Sequence, residues 1–179
     1  MEQIYTISVF SENAPGLLLR VTTLFARRKL NIESLTVSVS EIEGIHRYTI
    51  AVLTSAEIIS KVVNQIEKQV DVLKAFVHED DELVFQEIAL YKIPAEAIMR
   101  EKDVEQIVRE FHARILTFEK EFIVIEKTGH QEDTQELYNR LEPYGILEFV
   151  RSGRVAITKP MKKLTEFLKE IENNNRYKL

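Results

Sequence analysis

The spacing of hydrophobic positions changes once within the first 30 residues, from a strand-like to a helix-like period. Tyr5, Ile7 and Val9 recur at a spacing of two in residues 4–10, which predicts a strand with one apolar face. The apolar positions that follow have helical spacing, and they are Leu17, Leu18, Val21, Leu24 and Phe25. The pattern therefore predicts that a short turn joins a first strand to a first helix.

The rest of the first half continues this order. Residues 35–39 and 46–53 predict two strands joined by a hairpin turn, residues 56–69 a helix, and residues 70–78 a fourth strand. An order of β-α-β-β-α-β predicts a ferredoxin-like layer, in which two helices cover one face of an antiparallel sheet. The opposite face is then expected to be wet or paired with another chain.

The second half repeats the order. Its strands are predicted at 83–93, 115–118, 122–125, 146–150 and 155–157. One helix is predicted over 95–113, and another around Leu137 that stops at Pro143. A tail helix is predicted from Pro160, with an apolar stripe of Met161, Leu164, Phe167, Leu168 and Ile171. The fold class is therefore predicted as α+β, with two tandem ferredoxin-like βαββαβ domains.

A short acidic run separates the two halves. We place the first domain at 1–78, an acidic linker at 79–82, and the second domain with its terminal helix at 83–179. Neighbouring carboxylates in a linker favour a solvated segment over a metal site, which needs side chains that converge. We therefore expect no metal site in this chain.

Composition and charge exclude several classes of protein. The 179-residue chain has a net charge of −5 and a sequence pI of about 5.5, which argues against a nucleic-acid-binding protein. It contains no cysteine, which fits a reducing compartment. No signal-peptide pattern and no apolar run long enough for a bilayer is evident. A cytoplasmic location with no membrane association is the resulting expectation.

The turn at Asn13–Leu18 is a candidate site for a small ligand. Asn13 could cap the helix with its side chain, Pro15 fits the first helical position, and Gly16 permits close approach. The free amides of the first turn carry the positive end of the helix dipole, so a carboxylate could bind there. An ordinary capped turn is the alternative, and the turn alone favours it.

Other candidate chemistry is sparse. Arg27, Arg28 and Lys29 at the end of the first helix complement its dipole, and a phosphate-binding patch is the less favoured interpretation. The histidines lie in different predicted elements, without the spacing of metal ligands, at 46, 78, 112 and 130. Phosphate loops, nucleophile elbows and paired-carboxylate motifs are not found. These observations predict a binding or regulatory chain with no catalytic residues.

Three segments of the first half carry a family resemblance. Residues 13–21, 24–28 and 31–37 resemble the regulatory (small) subunit of acetolactate synthase, also called acetohydroxyacid synthase, with its N-terminal ACT domain. The segments Glu87–Ile93 and Arg151–Gly153 resemble that family's C-terminal domain. The resemblance thus covers most of the chain, and the stretch at 31–37 is its most specific part.

The resemblance implies a partner and a role. A large catalytic subunit would carry thiamine diphosphate, magnesium and FAD and would join two 2-oxo acids with loss of carbon dioxide. The small subunit would bind no cofactor itself. It would raise the activity of the large subunit and confer feedback inhibition, typically by valine, in branched-chain amino acid biosynthesis. Its ACT domains would pair into a homodimer, with the amino-acid effector bound at the seam.

The resemblance also assigns site residues. Asn13 would hold the effector's polar end, and Gly16, Leu17 and Leu18 would supply amides and close approach to its carboxylate. Ala14 belongs to the same set of effector-binding residues. Pro15 belongs to the same turn, but it removes one possible donor and departs from the family pattern.

The other part of the effector site comes from a second segment. By the same resemblance, Asn31 and Ile32 would complete the pocket across the dimer. The site that the resemblance assigns agrees with the interpretation of the turn, from its own residues, as a carboxylate site. Together, the resemblance and that interpretation favour a ligand site over an ordinary capped turn.

Two alternatives stay open. One is an ACT-type amino-acid sensor that acts on another enzyme or on a transcription or transport system. The absence of a basic face counts against it. The other is an enzyme, such as a small hydrolase on a ferredoxin-like fold, because fold alone does not define function. The sequence offers that enzyme no identifiable nucleophile or base.

Overall fold

The computed structural model describes residues 2–100 and 102–159. They form two compact units, one of residues 85–155 and one of the other described residues, including 156–159. Each unit contains its own antiparallel sheet and helices, and each buries its own hydrophobic core. This arrangement confirms the prediction of two tandem ferredoxin-like domains.

The first unit has the predicted order of elements. They are β1 (Gln3–Glu12), α1 (Leu17–Arg27), β2 (Ser34–Val39), β3 (Ile45–Thr54), α2 (Ala56–Ile66) and β4 (Val72–His78). The strands lie in the order β2-β3-β1-β4, and every neighbouring pair is antiparallel. β1 is therefore a central strand, while β2 and β4 form the two edges.

The core of the first unit lies between the sheet and its two helices. Tyr5, Ile7 and Val9 point from β1 into this core, as their alternation predicts. The buried positions of α1 are Leu17, Val21 and Phe25, which recur at intervals of four residues along one face of the helix. The apolar pattern of the sequence therefore identifies this layer directly.

Central positions on the opposite face of the same sheet are also buried. Thr6, Ser8 and Phe10 alternate with the core residues of β1, and all three are inaccessible to solvent or nearly so. Arg47 extends across this face, with its Nη2 donating to Ser8 Oγ over 3.2 Å and its guanidinium 5.4 Å from the centre of the Phe10 ring. The expectation that this face is wet or paired with another chain was wrong for these positions.

The acidic segment after β4 is ordered by its own carboxylates. Residues Asp80–Glu82 form one 3₁₀ turn, in which the Glu79 and Glu82 side chains each accept from the other's backbone amide. The Lys159 amide donates to the Glu82 carbonyl over 2.9 Å, and Lys159 Nζ donates to the Asp81 carbonyl over 2.5 Å. These bonds connect residue 159 to the acidic segment.

The second unit repeats the arrangement of the first. Its elements are β5 (Leu83–Pro94), α3 (Ala95–Arg100), α4 (Lys102–Glu110), β6 (Arg114–Phe118), β7 (Phe122–Gly129), α5 (Gln131–Leu141) and β8 (Glu148–Arg151). The last strand, β9 (Val155–Thr158), belongs to the first unit from residue 156 onward. The strand order β6-β7-β5-β8 is that of the first sheet, and β9 pairs with β5. One helix was predicted over 95–113, and the described residues of this range are helical in α3 up to Arg100 and in α4 from Lys102 to Glu110.

The predicted tail helix at 160–179 lies outside the described residues. Among the described residues, no helix is long and apolar enough to cross a membrane.

Candidate functional site

A tight turn with a positive backbone angle joins β1 to α1. Gly16 has φ 81° and ψ −5°, and the Leu17 amide donates to the Ala14 carbonyl over 3.3 Å. Pro15 followed by a residue with these angles is the sequence of a type II turn, whose third position needs positive φ and therefore favours glycine. The sequence Pro15-Gly16 thus fixes the direction in which α1 leaves the sheet.

The turn differs from the sequence prediction in how it caps the helix. The N-cap residue is Gly16, and no side chain caps α1. Asn13 does not cap the helix, because its backbone amide donates to the Gly44 carbonyl over 3.2 Å and its side chain is exposed. Pro15 precedes the helix instead of starting it, because the type II turn takes up two residues. The side-chain amide of Asn13 makes no hydrogen bond among the described residues, so it is available to a ligand.

The first turn of α1 is open to solvent and has unused donors. The first α-helical hydrogen bond runs from the Arg20 amide to the Gly16 carbonyl over 3.1 Å, so the Leu18 and Leu19 amides have no helical acceptor. No heavy atom lies within 4 Å of where a Gly16 Cβ would stand. The first turn contains no acidic residue, so the positive end of the dipole is uncompensated.

The leucines of this turn have different environments. The Leu17 side chain is fully buried in the core and its amide already donates to the Ala14 carbonyl, so this residue offers a ligand neither group. Leu18 is 40% exposed and Leu19 is 71% exposed, so both side chains can contact a ligand or another protein chain. The turn therefore combines polar donors with an apolar surface, as an amino acid with an aliphatic side chain requires.

An ion pair that the sequence analysis missed supports the turn. Arg20 Nη2 lies 2.6 Å from Asp71 Oδ2, and the Asp71 carbonyl accepts the Glu12 amide over 2.9 Å. Asp71 itself has φ 74°, an angle that aspartate tolerates better than most residues. It thereby connects the end of β1 to the first turn of α1. In the sequence, the only indication of this ion pair was the position of Arg20, one helical turn after Gly16.

The second predicted segment lies at the other end of α1. Asn31 is exposed, and its Nδ2 donates to Glu33 Oε1 over 3.1 Å. Ile32 is partly buried against the core of the first unit. α1 has 11 residues, or about 16 Å at the rise of an α-helix. Within one chain the structure therefore does not bring Asn31 and Ile32 to the Asn13–Leu18 turn.

The second-domain segments that carry the resemblance lie side by side. Ser152 Oγ accepts the Ile88 amide over 2.9 Å, and the Ser152 amide donates to the Ile88 carbonyl over 2.8 Å. Glu87 is buried, with Arg151 Nε at 3.9 Å and Arg154 Nε at 3.7 Å from its carboxylate oxygens. Two arginines thus compensate one buried carboxylate, which is a structural role.

The described histidines do not converge on a reactive centre. His130 caps α5 in a reciprocal arrangement with Asp133, whereas His78 ends β4 and contacts Phe76. No group of three or more histidine or acidic side chains among the described residues has the geometry of a metal site.

Comparison with known proteins identifies the family. Residues 7–74 match the model of the AHAS small subunit-like ACT domain, and residues 86–160 match that of the small subunit of acetolactate synthase. The acetolactate synthase small subunit of Mycolicibacterium smegmatis is 37% identical over 155 residues, which cover 87% of this chain and 91% of the relative. This chain belongs to the acetolactate synthase small-subunit family.

Other members agree over the same range. The acetolactate synthase small subunit of Bacillus subtilis is 34% identical over 160 residues, which cover 89% of this chain and 91% of the relative. The crystal structure of the acetolactate synthase small subunit from Thermotoga maritima has 30% sequence identity and a TM-score of 0.80. It covers 89% of this chain and 99% of its own. The ACT domain and the second ferredoxin-like domain are therefore both family features.

Proposed function

We propose that this chain is the non-catalytic regulatory subunit of acetolactate synthase. It raises the activity of a large catalytic subunit, and it confers feedback inhibition by a branched-chain amino acid, with valine as the first candidate. Membership of the family over nearly the whole described chain supports the partner. The observation that carries the effector site is the open first turn of α1 behind Gly16.

The proposed effector contacts follow from the donors at the turn. The effector's carboxylate accepts from the Leu18 and Leu19 amides, where the helix dipole favours a negative charge. The Asn13 side chain bonds the effector's polar end, and Gly16 allows the approach because no Cβ occupies that space. The effector's aliphatic side chain then lies against Leu18, which is partly exposed.

Completion of this site requires a second copy of the chain. β2 is an edge strand with unpaired backbone groups, and it ends at Val39 on the side of the sheet where β1 ends at Glu12. In an antiparallel β2–β2 pair with twofold symmetry, the start of each β2 meets the end of the other. Asn31 and Ile32 precede β2, so they would lie at the same end of the joined sheet as the partner's turn.

Regulation then operates through the assembled enzyme. Effector binding at the dimer seam shifts the population of the competent large subunit, a coupling of about 1–3 kcal/mol in typical allosteric proteins. The large subunit carries the thiamine diphosphate, magnesium and FAD of the reaction, and this chain carries none of them. We place both subunits in the cytoplasm, with no membrane or nucleic-acid partner.

Substitution of Gly16 by aspartate tests the site. In Gly16→Asp a carboxylate stands in front of the Leu18 and Leu19 amides, so it repels and displaces the effector's carboxylate. We expect the reconstituted enzyme to lose valine inhibition and to keep its activation. The measurement is acetolactate formation against valine concentration, with and without the small subunit.

Gly16→Ala is the matched control. It imposes the same left-handed backbone on a residue with a Cβ, at a cost of about 1–2 kcal/mol, but it adds no charge. We expect it to lower thermal stability and to retain inhibition at higher valine concentration. An unchanged inhibition curve for Gly16→Asp would contradict the site. Loss of activation in both variants would show that the turn contacts the large subunit instead.

A further inference from the structure

A basic cleft lies between the two helices of the first unit, on a different part of α1 from the effector turn. Its volume is about 440 Å³, and it is lined by Leu24, Arg27, Arg28, Gln65, Lys68 and Gln69. Three of these six residues are cations, two are amides and none is acidic. Such a lining is notable in a chain whose net charge is −5.

The cations of the cleft have no carboxylate partners among the described residues. None of the described ion pairs includes Arg27, Arg28 or Lys68. Elsewhere in the same unit, Arg20, Lys61 and Lys74 each pair with a carboxylate at 2.6 Å. Three like charges that face one small space repel each other, and a bound anion would relieve that repulsion.

Nearby carboxylates are engaged elsewhere. Glu67 precedes Lys68, but its Oε1 lies 2.6 Å from Lys74 Nζ and accepts the Ala75 amide over 3.3 Å. Glu67 therefore points toward β4 and cannot neutralise the cleft.

The Arg28 side chain provides a donor that is already withdrawn from water. Its Nε is buried and has no hydrogen-bond partner. A buried donor without an acceptor costs free energy, and this cost is removed if the side chain turns so that a ligand in the cleft supplies the acceptor. Guanidinium groups present their N–H groups in a planar fork that matches the oxygens of a phosphate.

The helix dipole explains only part of this arrangement. Arg27 lies in the last turn of α1 and Arg28 at its C-cap, where cations are stabilised by the dipole. That effect does not account for the convergence of Lys68, which follows the other helix, or for the buried Arg28 Nε. It also does not account for Gln65, whose side-chain amide adds a neutral donor to the cleft, or for Gln69, whose Nε2 already donates one hydrogen bond to the Gln65 carbonyl over 3.2 Å.

We infer that this cleft binds a small phosphorylated molecule. The phosphate group is held by Arg27, Arg28 and Lys68, and the glutamines contact its ester or hydroxyl oxygens. The volume lies within the range of small-ligand pockets and exceeds what one phosphate fills. Leu24 provides an apolar wall for the organic part of the ligand. This site is separate from the proposed amino-acid site and does not depend on it.

Inorganic phosphate is the probe for this inference. It is titrated into the ¹⁵N-labelled full chain at constant ionic strength, with chloride replaced by phosphate, while the arginine Nε–Hε resonances are followed by NMR. We expect a saturable shift of the Arg28 resonance. Arg28→Gln and Lys68→Gln should each weaken binding about tenfold, as the loss of one charge-assisted hydrogen bond implies.

Lys29→Gln is the matched control, because it removes the same charge next to Arg28 from a residue that does not line the cleft. We expect its affinity for phosphate to stay close to that of the unchanged chain. A shift that does not saturate would overturn the inference. So would equal weakening by Lys29→Gln and Lys68→Gln, which would indicate attraction by net charge alone. Arg28 caps α1 and Lys68 follows α2, so the two substitutions affect different segments. If one variant misfolds, the other still tests the inference.

Discussion

At the scale of single residues, His78 makes the stability of the first unit depend on pH. Its Nε2 is buried and has no hydrogen-bond partner. Burial lowers the pKa of His78 below its ordinary value, and the charge of Arg47 acts in the same direction, whereas Glu82 opposes them. The folded protein therefore holds this histidine neutral at a pH where the unfolded chain takes up a proton.

This difference predicts how the stability of the unchanged chain varies with pH. Above about pH 6.5, the ordinary histidine pKa, both states are neutral and His78 adds no pH dependence. As pH falls below that value the unfolded state binds the proton first, so the free energy of unfolding decreases. The decrease ends once pH has passed the lowered pKa of the folded state.

His78→Phe removes the titration and keeps a ring of similar size. We expect the stability of the unchanged chain, relative to His78→Phe, to decrease between pH 7.5 and pH 5.5. Urea unfolding at both values measures this difference. A relative gain in stability on acidification would contradict the direction of the pKa shift.

Single residues also show how far sequence could predict the site. Pro15 and Gly16 were recognised as a turn with access for a ligand, because their backbone preferences are local. The capping role assigned to Asn13 was wrong, since the type II turn makes Gly16 the N-cap. Asp71 could not be found from sequence, because its ion pair with Arg20 depends on the packing of β4 beside β1.

At the scale of elements, one hydrogen bond ties the central strand of the second sheet to a helix. Tyr91 on β5 is fully buried, and its hydroxyl donates to the Thr134 carbonyl of α5 over 2.5 Å. Burial raises the pKa of the Tyr91 hydroxyl, which therefore remains a donor.

Tyr91→Phe should destabilise the second unit. Removal of the hydroxyl leaves the Thr134 carbonyl without this donor, which costs about 1–3 kcal/mol for a buried group. Chemical unfolding followed by a probe in the second unit measures the loss. Tyr138→Phe is the control, because Tyr138 packs on the same core but no hydrogen bond of its hydroxyl is seen among the described residues. Equal losses in the two variants would refute the importance of this bond.

Whether a segment forms a helix or a strand was easier to predict than which of its residues are buried. The apolar alternation of β1 and the helical stripe of α1 identified their core faces, because both faces pack within one layer. In β5 the same approach could not predict that Glu87 is buried while Ile88 is 45% exposed. The arginines that compensate Glu87 come from residues 151 and 154, far along the chain.

At the scale of the whole molecule, the account requires a dimer through the β2 edge. Val39 ends β2 and is 76% exposed. A lysine on an edge strand opposes strand pairing, so Val39→Lys should shift the chain from dimer to monomer. Analytical ultracentrifugation measures the change in mass. Val70→Lys is the control, because Val70 is 74% exposed but follows α2, away from β2.

An unchanged dimer in Val39→Lys would exclude this edge as the interface. If Val70→Lys dissociates the dimer to the same extent, the effect of Val39→Lys arises from the added charge and not from disrupted strand pairing. Sequence alone predicted the repeated fold, whereas the homodimer was implied by the family resemblance and stays a prediction. The sequence could not predict the bonds from Lys159 to Asp81 and Glu82, because they connect residues distant in sequence.

The measurement that tests the central claim most directly is calorimetric titration of the full chain with valine, leucine and isoleucine, repeated on Asn13→Ala. The account predicts saturable binding of one of them, weakened at least about tenfold in the variant by loss of side-chain hydrogen bonds. The backbone bond from Asn13 to Gly44 is kept in Asn13→Ala, so the turn should persist. Undiminished binding in the variant, or no saturable binding of any of the three, would contradict an effector site at this turn.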